Sequence, residues 1–219
     1  DAGANDAFVD LLKRLARAPA SSAPADTESL ERQLLRLGEL EKRTEAFATL
    51  GLTAPFPGEA MRAAVSGPSE QRSVLGQVLT HFIDSTKARL DAQQPFLDLA
   101  ELFAGTANGF LFDKALQLSL SSGVTIVSSS GIELSPLALS SGERHLLVLL
   151  GQTLMARDQT SVFLIDEPEL SLNVKWQRKL VDAVLALTAD TPGQFVLATH
   201  SIELISQHRS QLLVLRAEQ

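Results

Sequence analysis

Several residue types that define common kinds of site are missing or scarce in this 219-residue chain. It has no cysteine, so it contains neither a disulfide framework nor a thiolate metal site. It has no tyrosine and a single tryptophan, Trp176, so no row of aromatic rings for stacking nucleic-acid bases can be argued. Its four histidines are scattered and have no metal-binding spacing. Disulfide-stabilised folds and thiolate-metal proteins are therefore excluded.

Long apolar runs and an excess of basic residues are also lacking. In the C-terminal half the longest purely apolar run, residues 146–150, is far too short to span a membrane, and no basic-then-apolar leader opens the chain. The net charge of -7 argues against a uniformly basic nucleic-acid module but leaves room for a local basic groove. With 45% hydrophobic residues the chain is globular. We expect a cytoplasmic protein that does not associate with a membrane.

The first 95 residues are typical of a helical region. Apolar residues at helical spacing predict helices over 6–17, 28–50 and 69–92. A small, polar, proline-bearing segment near 18–29 is predicted to be a mobile linker, and prolines and glycines between 55 and 68 interrupt the pattern. We expect residues 1–95 to form an α-helical arm, a coiled-coil insertion or a small helical bundle.

The pattern changes after Pro95, and residues 96–219 indicate a separate α/β lobe. Its predicted elements are a short helix at 96–103, strands at 115–120, 124–127 and 132–134, a helix at 142–156, a strand at 161–165, a helix at 173–187, a strand at 194–199, a helix at 201–207 and a strand at 212–215. Strands that alternate with helices indicate βαβ units and a parallel sheet.

An apolar run at 162–165 ends abruptly in Asp166 and Glu167. Four consecutive apolar residues suit a strand buried on both faces of a parallel sheet. The two carboxylates would then lie at the carboxyl edge of the sheet, where open α/β sheets bind ligands. Such a pair can hold Mg²⁺ through its water shell and orient an attacking water. The alternative is that the two acids simply end a strand and cap the next helix.

The segment LSSGE at 139–143 precedes a strongly apolar helix. Ser140, Ser141 and Gly142 form the N-terminal end of that helix, where unpaired N–H groups and the helix dipole favour an anion such as phosphate. The alternative is an ordinary capping box, with Ser140 as the N-cap and Glu143 three residues later. Both roles are compatible in one segment.

His200 follows the apolar strand at 195–199, again at the end of a strand. An imidazole there could contact a γ-phosphate. The alternative is a structural histidine, because histidine is intermediate in burial and easily satisfied.

Taken together and in this order, four motifs resemble those of ABC-type ATPases. LSSGE is similar to the signature motif, VFLIDEPE to the Walker B strand with its catalytic glutamate, ELSLN to the D-loop and ATHS to the switch histidine. The phrases DEPELSLN, VKWQ and FVLATHS resemble the RecF, SMC and OLD branch, which includes ATPases of bacterial anti-phage systems. The resemblance covers residues 96–219 and implies a P-loop-NTPase-like parallel-sheet lobe with ATP and Mg²⁺ as cofactors.

The resemblance implies a role for each matching residue. Asp166 would help to hold Mg²⁺, Glu167 would polarise the attacking water, and His200 would sense the γ-phosphate. The signature residues Ser140, Ser141, Gly142 and Glu143 would belong to the ATP-binding set, with Ser141 and Gly142 contacting the γ-phosphate of ATP bound to a second ATPase subunit. Ser171 and Asn173 would lie across the dimer seam.

This sequence departs from the family pattern at several positions. It contains no G-x-x-x-x-G-K followed by Ser or Thr, so the phosphate-cradling P-loop is missing. The chain is then either the C-terminal part of a larger ATPase or a degenerate partner. We favour the first, because Glu167 and His200 are both retained, and we expect little or no ATP hydrolysis by the chain alone. Ser141 stands where glycine is usual, Glu143 where glutamine is usual, and Asn173 where Asp or His is more common.

These observations favour a dimerising ATPase of the RecF, SMC and OLD type. Its hydrolysis would be coupled to DNA or to an effector nuclease or toxin, in phage defence or DNA repair. Two alternatives share the motifs: the nucleotide-binding subunit of an ABC transporter, and a non-catalytic scaffold that retains the fold.

Overall fold

The computed structural model describes residues 2–17, 27–65, 72–158, 160, 162–206 and 208–214. Its helices and strands are α1 (Ala2–Arg17), α2 (Thr27–Thr49), α3 (Gly58–Val65), α4 (Arg72–Asn108), β1 (Lys114–Ser119), β2 (Gly123–Ser128), β3 (Glu133–Leu134), α5 (Ser141–Ala156), β4 (Val162–Asp166), α6 (Val174–Leu187), β5 (Gln194–Ala198) and α7 (Ile202–Ile205). Residues 18–26 of the predicted linker lie outside the described residues, and residues 27–29 belong to α2.

The chain divides into two compact units. One comprises residues 1–98 and 119–123, and the other comprises residues 99–118 and 124–219. The first unit is mainly helical, and the second contains most of both sheets. The predicted division into residues 1–95 and 96–219 stays a prediction.

The first unit is a helical bundle with an apolar core. Its fully buried side chains include Leu12, Leu37, Phe47, Met61 and Leu79. Two ion pairs, Arg36–Asp84 and Arg43–Asp91, join α2 to α4. Arg43 lies seven residues after Arg36, and Asp91 lies seven residues after Asp84. The two helices therefore run in the same direction. Helix α3 was not predicted, because it has only eight residues and lies among prolines and glycines, which are typical of loops.

Helix α4 continues through Pro95, so the predicted interruption between separate helices at 69–92 and 96–103 is wrong. A proline inside a helix costs about 3 kcal/mol, since it removes a hydrogen bond and crowds the preceding turn. Here Leu90 and Leu97, on either side of Pro95, are both buried in the same core. The side chain of Gln94 also accepts a hydrogen bond from Arg43 (2.9 Å) and donates one to Asp98 (2.7 Å). Tertiary packing outweighs the local preference.

The second unit contains two small sheets. Strands β1, β2 and β3 form one sheet in that order, with β2 and β3 antiparallel. Strands β4 and β5 form a parallel pair joined by α6, which confirms the predicted βαβ unit. The fully buried side chains Leu146 and Leu150 of α5 and Leu180 and Leu187 of α6 belong to one core.

The prediction that β4 is buried on both faces is wrong. Phe163 and Ile165 are half-buried, and Ile165 packs against the core, whereas Val162 and Leu164 are 58% and 77% exposed. Val196 of β5 is also exposed. With two strands in this sheet and the core packed on one side, the opposite apolar face is left open among the described residues.

The C-terminal end differs from the prediction in two places. Helix α7 is shorter than the predicted 201–207, and Gln207 lies outside the described residues. The predicted strand at 212–215 is wrong for residues 212–214, which belong to no strand, and residue 215 is not described. The N–H of Leu212 instead donates to Arg209 in a 3₁₀ turn. An apolar run becomes a strand only where a neighbouring strand offers backbone partners.

In the described part of the chain no helix is long and apolar enough to cross a bilayer.

Candidate functional site

The register of β4 and β5 brings the predicted acidic and histidine segments to one edge of the sheet. Asp166 lies opposite Ala198, the last residue of β5. The N–H of Glu167 donates to the carbonyl of Ala198 over 2.8 Å, which extends the ladder one residue past β4. Because carboxyl ends of parallel strands meet at one edge, the residues after both strands are neighbours.

Glu167 and His200 are in direct contact at this edge. The Nε2 atom of His200 lies 3.3 Å from Oε1 of Glu167, and this contact is ionic when the imidazole is protonated. The imidazole is 94% exposed, whereas the side chain of Glu167 is only 32% exposed. Glu167 has a φ of +48°, in the left-handed region that non-glycine residues seldom adopt. Such backbone strain clusters at functional sites.

The electrostatic surroundings of Glu167 oppose its ionisation. Partial burial and the negative charge of Glu169 raise the pKa of Glu167 above its ordinary value, and Asp166 adds to this effect. The neighbouring His200 lowers the pKa of Glu167 and so opposes these effects in part. A carboxylate whose charge is poorly compensated is a better acceptor for a hydrogen bond from water.

Asp166 is exposed at the end of β4. Among the described residues, no group of three or more His, Asp or Glu side chains is arranged to hold a metal ion. A single exposed carboxylate nevertheless fits Mg²⁺, which keeps several waters and is usually held by one or two carboxylates plus substrate phosphates.

Glu169 is a residue of this edge that the sequence analysis missed. Its Oε1 atom accepts hydrogen bonds from Oγ1 of Thr199 (2.6 Å) and from the N–H groups of His200 (3.1 Å) and Ser201 (3.1 Å). Burial opposes ionisation of Glu169, but these donors outweigh it and hold its pKa below the ordinary value. The available signal was the third acid in DEPE, which follows Glu167 by two residues.

The signature-like segment forms the N-terminus of α5. Ser140 is its N-cap, and a complete capping box joins it to Glu143: the N–H of Glu143 donates to Oγ of Ser140 (3.2 Å), and the N–H of Ser140 donates to Glu143 (2.7 Å). The capping box that the sequence offered as the alternative for this segment is therefore present. Ser141 is exposed and Gly142 is buried. Exposure leaves the Ser141 hydroxyl open to a ligand.

Glu143 points inward and is held by a lysine that the sequence analysis did not single out. Nζ of Lys114 lies 2.8 Å from both carboxylate oxygens of Glu143. Burial opposes ionisation of Glu143, but the hydrogen bonds from Lys114 and Ser140 outweigh it and lower its pKa. Lys114 is 29 residues away in the chain, so no local pattern signals this pair.

The D-loop-like segment lies against the start of α5. Gly142 packs so closely on Ser171 that an added Cβ would lie 2.5 Å from the Ser171 carbonyl oxygen. Ser171 has a φ of +63° and its side chain is exposed. Asn173 is the N-cap of α6, and its side chain accepts the N–H of Trp176 over 3.0 Å.

The predicted residues thus form two clusters. Asp166, Glu167 and His200 meet at the carboxyl edge of β4 and β5. The other cluster contains Gly142 and Ser171 in contact, with Ser140, Ser141, Glu143 and Asn173 on the adjoining helix ends. Their roles in binding and catalysis stay predictions.

A family model described as "AAA domain, putative AbiEii toxin, Type IV TA system" matches residues 11–206. This is most of the chain, and the chain belongs to this family of AAA domains. The assignment confirms the resemblance to ATPases that the four motifs indicated. The predicted α/β class is confirmed by the parallel strands β4 and β5 and the helices around them. In the part of the chain that the structure describes, the two sheets are small for an ATPase lobe.

Among solved structures, the chain is similar to crystal structures of Smc head domains. One, with an extended coiled coil and bound to the C-terminal domain of ScpA, derives from Pyrococcus furiosus; the identity is 16%, 92% of this chain and 52% of that chain are covered, and the TM-score is 0.39. A second structure is an Smc head bound to the C-winged helix domain of ScpA. Its identity to this chain is 16%, 89% of this chain and 47% of that chain are covered, and the TM-score is 0.36. The chain spans about half the length of these structures. No curated protein matches it significantly.

Proposed function

We propose that this chain carries the hydrolytic half of an ATP site. The observation that carries the proposal is the contact of Glu167 with His200 at the carboxyl edge of β4 and β5, beside the exposed Asp166. Phosphoryl transfer requires mainly positioning and charge stabilisation, and a carboxylate, a metal-holding acid and a polar sensor meet that need.

Each residue of this edge has one proposed task. Asp166 binds Mg²⁺ through its water shell, and Mg²⁺ supplies charge neutralisation to the phosphates. Glu167 accepts a hydrogen bond from the attacking water and orients it. His200 is exposed and reaches the γ-phosphate from the neighbouring strand end. The poorly compensated charge of Glu167 supports its role as the acceptor.

The second cluster is proposed to serve a different ATP. Ser140, Ser141, Gly142 and Glu143 form and brace a helix N-terminus, and such an end binds anions through free N–H groups and the helix dipole. Its ligand is the γ-phosphate of ATP on a second ATPase subunit, with Ser171 and Asn173 at the seam. Dimerisation around ATP then completes both sites.

A P-loop has to come from outside these 219 residues, because none is present among them. We propose that another polypeptide segment or chain supplies it, and that this chain alone hydrolyses little ATP. Hydrolysis is coupled to DNA or to an effector nuclease or toxin. The family description names a toxin of a toxin–antitoxin system, which supports an effector toxin as the coupled partner.

Single-turnover hydrolysis by the complete native protein, with its P-loop, tests this proposal. Glu167→Gln should slow the chemical step by about 100-fold or more while ATP binding, measured by equilibrium dialysis, stays unchanged. Glu133→Gln is the matched control, since Glu133 is exposed on β3. Equal rates for the wild type and both variants would overturn the proposal, and bound but unhydrolysed ATP in the wild type would favour a non-catalytic scaffold.

A further inference from the structure

The side chain of Glu169 binds the backbone that follows β5. Its Oε1 atom accepts three hydrogen bonds, from the hydroxyl of Thr199 and from the N–H groups of His200 and Ser201. The donors belong to three consecutive residues at the strand end. A single carboxylate oxygen therefore holds both sides of His200, while Ser201 is also held by Oγ1 of Thr199 (3.0 Å) and by Gln177 (2.7 Å).

The side chain of His200 has little else to hold it. It is 94% exposed, so packing does not determine where the imidazole lies, and its contact in the structure is with Glu167 at 3.3 Å. The position of its backbone therefore sets where the ring can reach. Glu169 is the group that accepts the N–H of His200 itself.

Glu169 also belongs to the turn that carries Ser171. The carbonyl of Glu169 accepts the N–H of Leu172 over 2.9 Å, and the Ser171 carbonyl packs on Gly142. The side chain of Glu169 thus faces the hydrolytic cluster while its backbone is part of the segment against α5. A shift of this segment would be transmitted to His200.

We propose that Glu169 is a positioning residue, which holds His200 against Glu167 and links it to the Ser171 turn. The inference rests on the proposed function, since it assigns Glu169 a part in the same hydrolysis. Glu169 acts through His200 and not on ATP itself.

Two substitutions at position 169 separate positioning from charge. Glu169→Gln keeps an acceptor oxygen for the three donors, whereas Glu169→Ala removes it. In the complete native protein, Glu169→Ala should slow single-turnover hydrolysis by about 10- to 100-fold, the range typical of lost orienting partners, with ATP affinity nearly unchanged. Glu169→Gln should slow hydrolysis less than Glu169→Ala, because it keeps the acceptor oxygen and loses only the charge. Glu133→Ala and Glu133→Gln are the matched controls.

Amide hydrogen exchange supplies a readout that does not depend on activity. Glu169→Ala should speed exchange at His200 and Ser201, while Glu169→Gln leaves it slow. If Glu169→Ala does not fold, Thr199→Val takes its place, because it keeps the side-chain volume but removes the hydroxyl that donates to Glu169 and accepts the N–H of Ser201. Faster exchange at His200 with slower hydrolysis supports the proposal.

The outcomes separate this inference from the proposed function. Hydrolysis abolished by Glu167→Gln but unaffected by Glu169→Ala and by Thr199→Val would overturn the inference alone. Equal slowing by Glu169→Ala and Glu169→Gln, with exchange at His200 unchanged, would also overturn it, because charge and not position would then be responsible. Full hydrolysis by Glu167→Gln would remove the proposed function itself.

Discussion

The Cα atom of Gly142 faces the carbonyl oxygen of Ser171 so closely that a Cβ at position 142 would lie 2.5 Å from that oxygen. Gly142 is the second residue of α5, and Ser171 belongs to the turn before α6. The two segments that we assign to the second ATP are therefore held together within one chain. Glycine is required here because no side chain fits the gap.

This contact predicts a cost for the smallest substitution. Gly142→Ala should lower the free energy of unfolding by about 1–3 kcal/mol, as expected when an atom is forced into a packed site. Gly151→Ala in the same helix is the control, since nothing lies within 4 Å of its added Cβ. That variant should be neutral or more stable by about 0.5–1 kcal/mol, because alanine favours helix over glycine. Denaturant unfolding measures both, and equal midpoints would contradict the close approach.

The ion pair of Lys114 with Glu143 predicts a second effect on stability. Lys114→Met should cost about 1.5–3 kcal/mol near neutral pH, since it removes a charge-assisted hydrogen bond from a buried carboxylate. Lys179→Met, at an exposed position of α6, serves as the control. A cost no larger than that of the control would show that the pair contributes nothing.

The same pair gives a definite pH dependence. The folded pKa of Glu143 is lowered, so its stabilisation is fully present above the ordinary glutamate pKa of about 4.3 and is lost as the pH falls through the folded pKa. The difference in unfolding free energy between wild type and Lys114→Met should therefore be largest above this value and shrink in acid. A difference that grows in acid would have the wrong sign.

Asn173 combines a structural role with a proposed place at the seam. Asn173→Ala should reduce stability by about 1 kcal/mol, because it removes the N-cap of α6. Asn173→Asp should keep the cap and the stability. Thermal unfolding of the two variants separates the cap from any effect on ATP hydrolysis, and equal melting temperatures would contradict the capping assignment.

The sequence was sufficient for the parts of the site that local pattern determines. The apolar run before Asp166 and the one before His200 predict two strands, and their parallel pairing brings Glu167 next to His200. The capping box at Ser140 was also evident as an alternative and is present.

Features that depend on residues distant in the chain were not accessible in this way. Lys114 meets Glu143 across 29 residues, and Glu169 meets His200 across 31. Pro95 predicts a break, but burial of Leu90 and Leu97 keeps α4 continuous. One face of β4 is open because no described element covers that side of the sheet. Four apolar residues in a row do not specify what covers them.

The central claim is that each ATP site combines Glu167 of one subunit with Ser141 of another. Two variants test it in the complete native protein: Glu167→Gln, and Ser141→Arg at an exposed position where a larger side chain fits. Each should be inactive alone. When equal amounts are mixed, half of the dimers carry one intact site, so ATP hydrolysis should recover to about a quarter of the wild-type rate. A mixture that stays as inactive as its two components would contradict the account.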